Sequence, residues 1–276
     1  MAGVIDFAFL DSGTGGLPYM LALKQKSPSS RCVYLGDTAH FPYGEKTSEQ
    51  IASCAASVID RMIASWHPRV LVVACNTMSV TALDDLRALF PQLPIVGTVP
   101  AIKLAAKVSQ NKRIGLLSTS ATAHHPYCQR LIADFAQDCT IFTRADPALI
   151  TFIEKRLFLA DADECFDAAL PAARYFASCG CDTLILGCTH FTHMARDIER
   201  AFRFATGGDV FVVDSREGVS NRALDVLDHL SPAPTAPAEP LPPDMTFFVT
   251  RLKEGAECAE YESLCNSFAI PFGGVF

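Results

Sequence analysis

Two cysteines of this chain sit in matching settings. Arg69-Val70-Leu71-Val72-Val73-Ala74-Cys75-Asn76-Thr77 and Asp182-Thr183-Leu184-Ile185-Leu186-Gly187-Cys188-Thr189-His190 each pass from an apolar run through a small residue to Cys and a polar pair. Such a run reads as a buried parallel strand. In open α/β sheets, ligands bind just beyond the carboxyl ends of the strands. Both thiols are therefore expected where chemistry is done. A free thiol ionises near pH 8.5, and its thiolate is the useful form. The positive N-terminus of a following helix favours that form. Two matched thiols suit a task that needs two matched groups, such as moving a proton from one face of a carbon to the other.

Each thiol has a candidate helper. His190 lies two residues after Cys188 and can take its proton. Asp11 closes the first apolar run and can serve Cys75 if their strands are adjacent. Asp11-Ser12-Gly13-Thr14-Gly15-Gly16 is a loop whose glycines permit close backbone approach to a ligand. It does not continue as a Walker phosphate loop or a dinucleotide fingerprint, because Leu17-Pro18 follows. Asp-Ser-Gly-Thr also has the form of an aspartic-protease triplet. That chemistry needs a second such carboxylate, and Asp214-Ser215 leads to Arg216 rather than glycine. Phe41-Pro42-Tyr43-Gly44 reads as a fixed turn at the same sheet edge. Cys179, Cys181, Cys188, His190 and His193 invite a zinc reading, but the first two precede the strand that Cys188 follows. A five-residue strand spans roughly 16 Å, too far for one metal. No lysine falls at a strand end to form a Schiff base. Neither a metal nor a cofactor is expected.

The elements that must position these groups alternate. Strands are expected at Val4–Leu10, Arg31–Leu35, Val70–Ala74, Ile95–Gly97, Ile114–Ser118, Cys139–Thr143, Thr183–Leu186, Val210–Val213 and Thr246–Thr250. Helical patterns lie between most of them, the clearest over Ser48–Trp66, with Thr47 and Gln50 as a capping box. The others fall near 78–90, 124–136, 163–178, 192–205 and 216–229, with a short one in the final segment. Strands alternating with helices mean a mostly parallel sheet. The near-repeat implies two similar α/β lobes, each with a cysteine at a strand end. The first lobe is expected at 1–97 plus 208–276, carrying Asp11 and Cys75, and the second at 98–207. Ser231–Asp244, with six prolines, reads as a semi-rigid connection.

Composition bounds the partners. The 276 residues carry a net charge of −7, which argues against a nucleic-acid backbone as partner. Half the residues are hydrophobic, yet no run reaches the roughly 18 apolar residues of a spanning helix. Eleven cysteines, an odd number, without a secretory signal read as thiols in a reducing cytoplasm. Cys32, Cys54, Cys128, Cys139 and Cys165 fall in apolar or helical patterns and read as small buried hydrophobes.

As a set, five segments closely resemble the cofactor-independent glutamate racemases of the aspartate/glutamate racemase superfamily. They are Leu10–Leu17, Gly36–Gly44, Ala74–Thr77, Thr119–Thr122 and Leu186–His190, in the family's order, within a likeness spanning about residues 4 to 230. The resemblance implies that Cys75 and Cys188 are the two acid/bases, the first acting on D-glutamate and the second on L-glutamate. It implies that Asp11 assists Cys75, and that His190 and Glu154 assist Cys188. Ser12, Pro42, Tyr43, Gly44, Asn76, Thr77, Thr119, Thr122 and Thr189 resemble the residues that hold the substrate. It further implies two Rossmann-like α/β domains with the active site in the cleft between them, a homodimer acting on a small molecule, and a supply of D-glutamate for peptidoglycan. A racemase for aspartate or another small carboxylate, and a non-catalytic amino-acid-binding regulator, are the other readings. Two departures stand out. Phe191-Thr192-His193 follows His190 where an aromatic, Pro and Leu are expected, so His193 reads as a cap of the next helix. Asp146-Pro147 stands where Cys-Pro is common.

Overall fold

A computed structural model describes residues 4–231, 240–252 and 256–276. Most of the Pro-rich connection expected at Ser231–Asp244 lies outside the described residues. The chain divides into two compact units, Met1–Thr98 with Arg216–Phe276, and Val99–Ser215.

The first unit begins β1 (Phe7–Asp11), α1 (Leu17–Lys26), β2 (Cys32–Gly36), α2 (Ser48–Trp66), β3 (Val70–Val73), α3 (Asn76–Leu89) and β4 (Ile95–Gly97). The second runs α4 (Ile102–Val108), β5 (Arg113–Ser118), α5 (Ser120–His124), α6 (Pro126–Phe135), β6 (Thr140–Ala145), α7 (Pro147–Lys155), α8 (Ala162–Ser178), β7 (Thr183–Leu186), α9 (Ala195–Thr206) and β8 (Phe211–Val213). The chain then completes the first unit with α10 (Arg216–Asp228), β9 (Thr246–Val249), α11 (Ala256–Phe268) and β10 (Phe272–Val275).

Every strand pairing is parallel. The sheet orders are β10-β9-β2-β1-β3-β4 and β6-β5-β7-β8. The run β2-β1-β3-β4 thus recurs as β6-β5-β7-β8, and the first unit adds two strands beyond β2. These are two Rossmann-like sheets, each with its order reversing beside the strand that leads to a cysteine. The second unit reaches Ser215 rather than residue 207, because β8 pairs with β7.

The central strands are apolar throughout because helices cover both faces of a parallel sheet. Val70–Val73 and Thr183–Leu186 are buried at every position. Ile51, Ala55, Val58, Ile59, Met62 and Trp66 of α2 pack on the first sheet's core. Each large apolar side chain so buried contributes about 1.5–3 kcal/mol. The capping box forms as expected: Thr47 accepts the Gln50 N–H, and Gln50 accepts the Thr47 N–H.

Strand β10 is not among the strands expected from the sequence, and it contains two glycines. The Phe248 ring lies over Gly273, where an added Cβ would come within 2.3 Å of it. Phe248 and Phe276 also meet Trp66, at ring-centroid distances of 5.4 and 4.3 Å. The final segment therefore packs on the first unit, in agreement with its expected place in the first lobe. Among the described residues, no helix is long and apolar enough to cross a membrane.

Candidate active site

In the first unit, pairing of β1 with β3 sets Leu10 opposite Val73, and the Ala74 N–H donates to the Leu10 carbonyl at 2.8 Å. Asp11 and Cys75 follow at neighbouring strand ends, where the sheet order reverses. Such a switch point is where open α/β sheets bind ligands. Asp11 is fully buried and Cys75 nearly so. Cys75 caps α3 with extended backbone (φ −137°, ψ 116°). It stands at the N-terminus of a fourteen-residue helix, whose orphan N–H groups favour negative charge. Asn76 and Thr77 open that helix and are buried with it.

The glycine loop is shaped by those strand ends. The Ser12 N–H donates to Asp11 Oδ1 at 2.7 Å. The Tyr34 hydroxyl donates to the Gly13 carbonyl and accepts the Gly16 N–H, both at 2.9 Å. A Cβ on Gly16 would stand 2.6 Å from the Cβ of Ala74. Only glycine lets the loop lie against the strand that ends in Cys75.

The Pro42-Tyr43-Gly44 turn stands over the same corner. Tyr43 is buried, and its hydroxyl donates to Asp37 Oδ2 at 2.6 Å. Burial, then the negative Asp37 beside it, pushes the phenol's pKa far up, so it keeps its proton. The Cys75 thiol is close enough to add to that push.

The second unit repeats the frame. The Gly187 N–H donates to the Leu117 carbonyl at 2.7 Å, as Ala74 does to Leu10. Cys188 is buried and again extended (φ −130°, ψ 138°), but it opens a 3₁₀ turn, Thr189–Met194. His190 Nδ1 lies 3.7 Å from Cys188 Sγ. His190 Nε2 lies 2.8 Å from Glu154 Oε2. Both His190 and Glu154 are buried. Burial alone would lower the imidazole's pKa. The hydrogen bonds and negative charges of Cys188 and Glu154 outweigh it, so His190 holds its proton well above the ordinary histidine range. Cys188, His190 and Glu154 thus form one buried line of proton-exchanging groups.

Glu154 is carried by α7, which residue pattern alone did not reveal as a helix. Asp146 caps it by accepting the Leu149 N–H at 3.1 Å. The departure from Cys-Pro at this point supplies a stronger cap. Thr119 caps α5, accepting the Thr122 N–H, and its hydroxyl lies 2.9 Å from that of Thr122. Thr189 is buried, and its carbonyl accepts the Thr192 hydroxyl.

The remaining candidates fall elsewhere. Met194, not His193, occupies the cap position of α9. His193 instead meets the edge of Phe158, centroids 5.4 Å apart. Cys179 and Cys181 precede β7, at the end opposite Cys188. Burial pushes the thiols of Cys128 to about 11 and of Cys181 and Cys265 to about 12, as befits inert packing groups. All eleven cysteines are free thiols.

Comparison with known proteins follows the same outline. Residues 20–217 match the family described as Asp/Glu/Hydantoin racemase. A glutamate racemase of Treponema pallidum (strain Nichols) is 38% identical over 269 residues, covering 98% of this chain and 96% of that protein. Among solved structures, Escherichia coli glutamate racemase in complex with L-glutamate and the activator UDP-MurNAc-Ala superposes with a TM-score of 0.80. It is 28% identical, over 98% of this chain and 96% of that one. Glutamate racemase isoform RacE1 from Bacillus anthracis gives 0.78 at 25% identity, over 100% and 98%.

Proposed function

The chain belongs to the Asp/Glu/Hydantoin racemase family, and from that premise we propose that it interconverts L- and D-glutamate by passing the α-proton between Cys75 and Cys188. The supporting observation is that each thiol has its own buried acid/base: Asp11 on the adjoining strand end, and His190 backed by Glu154.

The chemical obstacle is the weak acidity of a Cα–H beside a carboxylate. One thiolate removes the proton while the other thiol, on the opposite face of the carbon, supplies one. A positioned general base contributes roughly 10²–10⁴-fold. Fixed donors that stabilise the developing negative charge supply more. In this reading Ser12, Pro42, Tyr43, Gly44, Asn76, Thr77, Thr119, Thr122 and Thr189 hold the ammonium and carboxylates. For D-glutamate Cys75 is the base, with Asp11 beside it. For L-glutamate Cys188 is the base, its proton accepted by the His190–Glu154 pair. The protein supplies D-glutamate for peptidoglycan, works in the cytoplasm and forms a homodimer. The reducing cytoplasm agrees with eleven free thiols.

The deciding experiment is exchange of the α-hydrogen in D₂O, followed for each glutamate enantiomer and for L-aspartate. Deuterium entering Cα of both glutamates, much faster than aspartate, is the expected result. Faster exchange of aspartate reassigns the substrate. Tight glutamate binding without exchange makes the protein a binding regulator.

A further inference from the structure

Strand β9 and the residue after it reach the candidate site from the far end of the chain. Thr250 Oγ1 accepts the Ala39 N–H at 2.9 Å, which directs its own proton to Asp37 Oδ1 at 2.7 Å. The Thr250 N–H donates to the Gly36 carbonyl at 3.0 Å. Thr38 and Arg251 exchange two further bonds: the Thr38 hydroxyl donates to the Arg251 carbonyl and accepts the Arg251 N–H. Residues 36–39 are thereby sewn to residues 250–251.

Asp37 gathers the remaining donors. It is fully buried, and its Oδ2 receives the Tyr43 hydroxyl at 2.6 Å and lies 2.8 Å from His40 Nδ1. A hydroxyl has one proton. The Thr250 proton goes to Oδ1 and the Tyr43 proton to Oδ2, so this carboxylate acts as acceptor on both oxygens. The consequence for Tyr43 is specific. With its only proton committed to Asp37, its hydroxyl has none to offer a substrate carboxylate.

We propose that Thr250 and Asp37 are positioning residues for the substrate-binding turn Pro42–Gly44, with the Tyr43 hydroxyl serving as the strut they hold. The inference rests on the assignment of that turn to substrate binding. It makes Thr250, more than 200 residues from Asp37 in the chain, part of the support of the binding turn. The same contacts explain why an ionisable group with no part in proton transfer is buried beside the site. An isolated buried carboxylate is costly, and one accepting charge-assisted hydrogen bonds from several donors is a rigid anchor.

The test uses the full-length protein and two readouts: kcat and KM for glutamate racemisation, and the calorimetric dissociation constant for D-glutamate. Thr250→Val is expected to raise both KM and the dissociation constant about tenfold, the size of one lost charge-assisted hydrogen bond, with kcat within about twofold. Thr250→Ser is expected to restore wild-type values. Thr246→Val removes a hydroxyl from the same strand, which among the described residues donates to the Pro243 carbonyl at 2.7 Å, and is expected to leave both constants unchanged. Because Thr250 acts through Asp37 on Tyr43, the Thr250→Val/Tyr43→Phe double variant is expected to bind no more weakly than Tyr43→Phe alone. Unchanged binding in Thr250→Val, additive losses in the double variant, or an equal loss in Thr246→Val overturns the proposal. Wild-type protein that binds glutamate without exchanging its α-hydrogen sinks the racemase reading only. The binding series then still judges the clamp.

Discussion

The two units build the same corner and equip it differently. Leu10 and Val73 face each other in one sheet, Leu117 and Leu186 in the other, so Asp11 and Ser118 occupy equivalent strand ends, as do Cys75 and Cys188. The backbone at the two cysteines is nearly the same. Beside Cys75 the strand end supplies a carboxylate directly. Beside Cys188 that place is held by Ser118, whose hydroxyl donates to the Thr119 carbonyl. The missing carboxylate returns from α7 as Glu154, and it reaches the thiol only through His190. In the proposed mechanism each strand-end thiol has an acid/base partner, and the fold lets that partner come from the neighbouring strand or through a relay. The following turn differs with it: an α-helix opens at Cys75, a 3₁₀ turn at Cys188 that brings His190 back toward the sulfur.

The comparison breaks most completely at the sulfurs. Cys75→Ser and Cys188→Ser are each expected to lower racemisation by 10³-fold or more, toward or beyond the upper end of the roughly 10²–10⁴-fold a placed general base contributes. If either variant turns glutamate over as fast as the parent, the two-thiol account fails. Exchange of the α-hydrogen in D₂O measures it directly.

The helpers come next. Asp11→Asn and His190→Asn are each expected to cost about 10²-fold. Enantiomers have equal free energies in water, so kcat/KM must fall by the same factor in both directions for either variant. The difference between the corners shows in the primary isotope effect with α-deuterated substrate. Weakening Cys75 as a base through Asp11→Asn raises that effect for D-glutamate over that for L-glutamate. His190→Asn does the reverse. Equal effects from both enantiomers in both variants would mean that the helpers are not divided between the thiols.

Much of this frame was legible in the residues, and the reasons are physical. Parallel strands buried on both faces must be continuous apolar runs, so the strands leading to Cys75 and Cys188 stood out. Helix α2 announced itself through its capping box and apolar face. Short elements did not. Helix α1 follows the glycine loop with a proline in its first turn, α4 has seven residues, and β10 contains two glycines. Site legibility followed the same division. His190 was readable because it lies two residues from its thiol. Glu154 was marked only by family resemblance, since its partner is 36 residues away. Thr250 had no signal, because a lone threonine ending a strand is ordinary until its partner across more than 200 residues is seen.

A pH experiment sharpens the relay. His190 is expected to remain protonated well above pH 6.5, and Glu154→Gln to bring its titration down by removing a negative partner. Nitrogen chemical shifts of the imidazole report this. The sign for stability follows. A histidine whose affinity for its proton is higher folded than unfolded adds stability that is complete below about pH 6.5. That stability is lost as the pH climbs through the raised folded value. The stability advantage of the parent over Glu154→Gln should therefore narrow with rising pH in denaturant titrations. An advantage that widens instead would show that Glu154 does not hold the proton on His190.

The mildest expected effect separates the relay from the element that carries it. Asp146 caps α7 through the Leu149 N–H and pairs with Arg144 at 3.0 Å. Asp146→Ala removes the cap and is expected to lower unfolding free energy by about 1 kcal/mol. The ion pair is partly solvent-exposed and adds little to that figure. Glu154 sits two turns further along, buried and bonded to His190, so the end of the helix should loosen without releasing it. Racemisation is then expected to fall less than about threefold, far less than in Glu154→Gln, where the contact itself is altered. No equivalent sensitivity exists beside Cys75, because Asp11 is borne by a central strand with neighbours on both sides. If Asp146→Ala instead reduces activity as much as Glu154→Gln, the cap would be setting the geometry of the relay, and the second corner would depend on a helix end in a way the first does not.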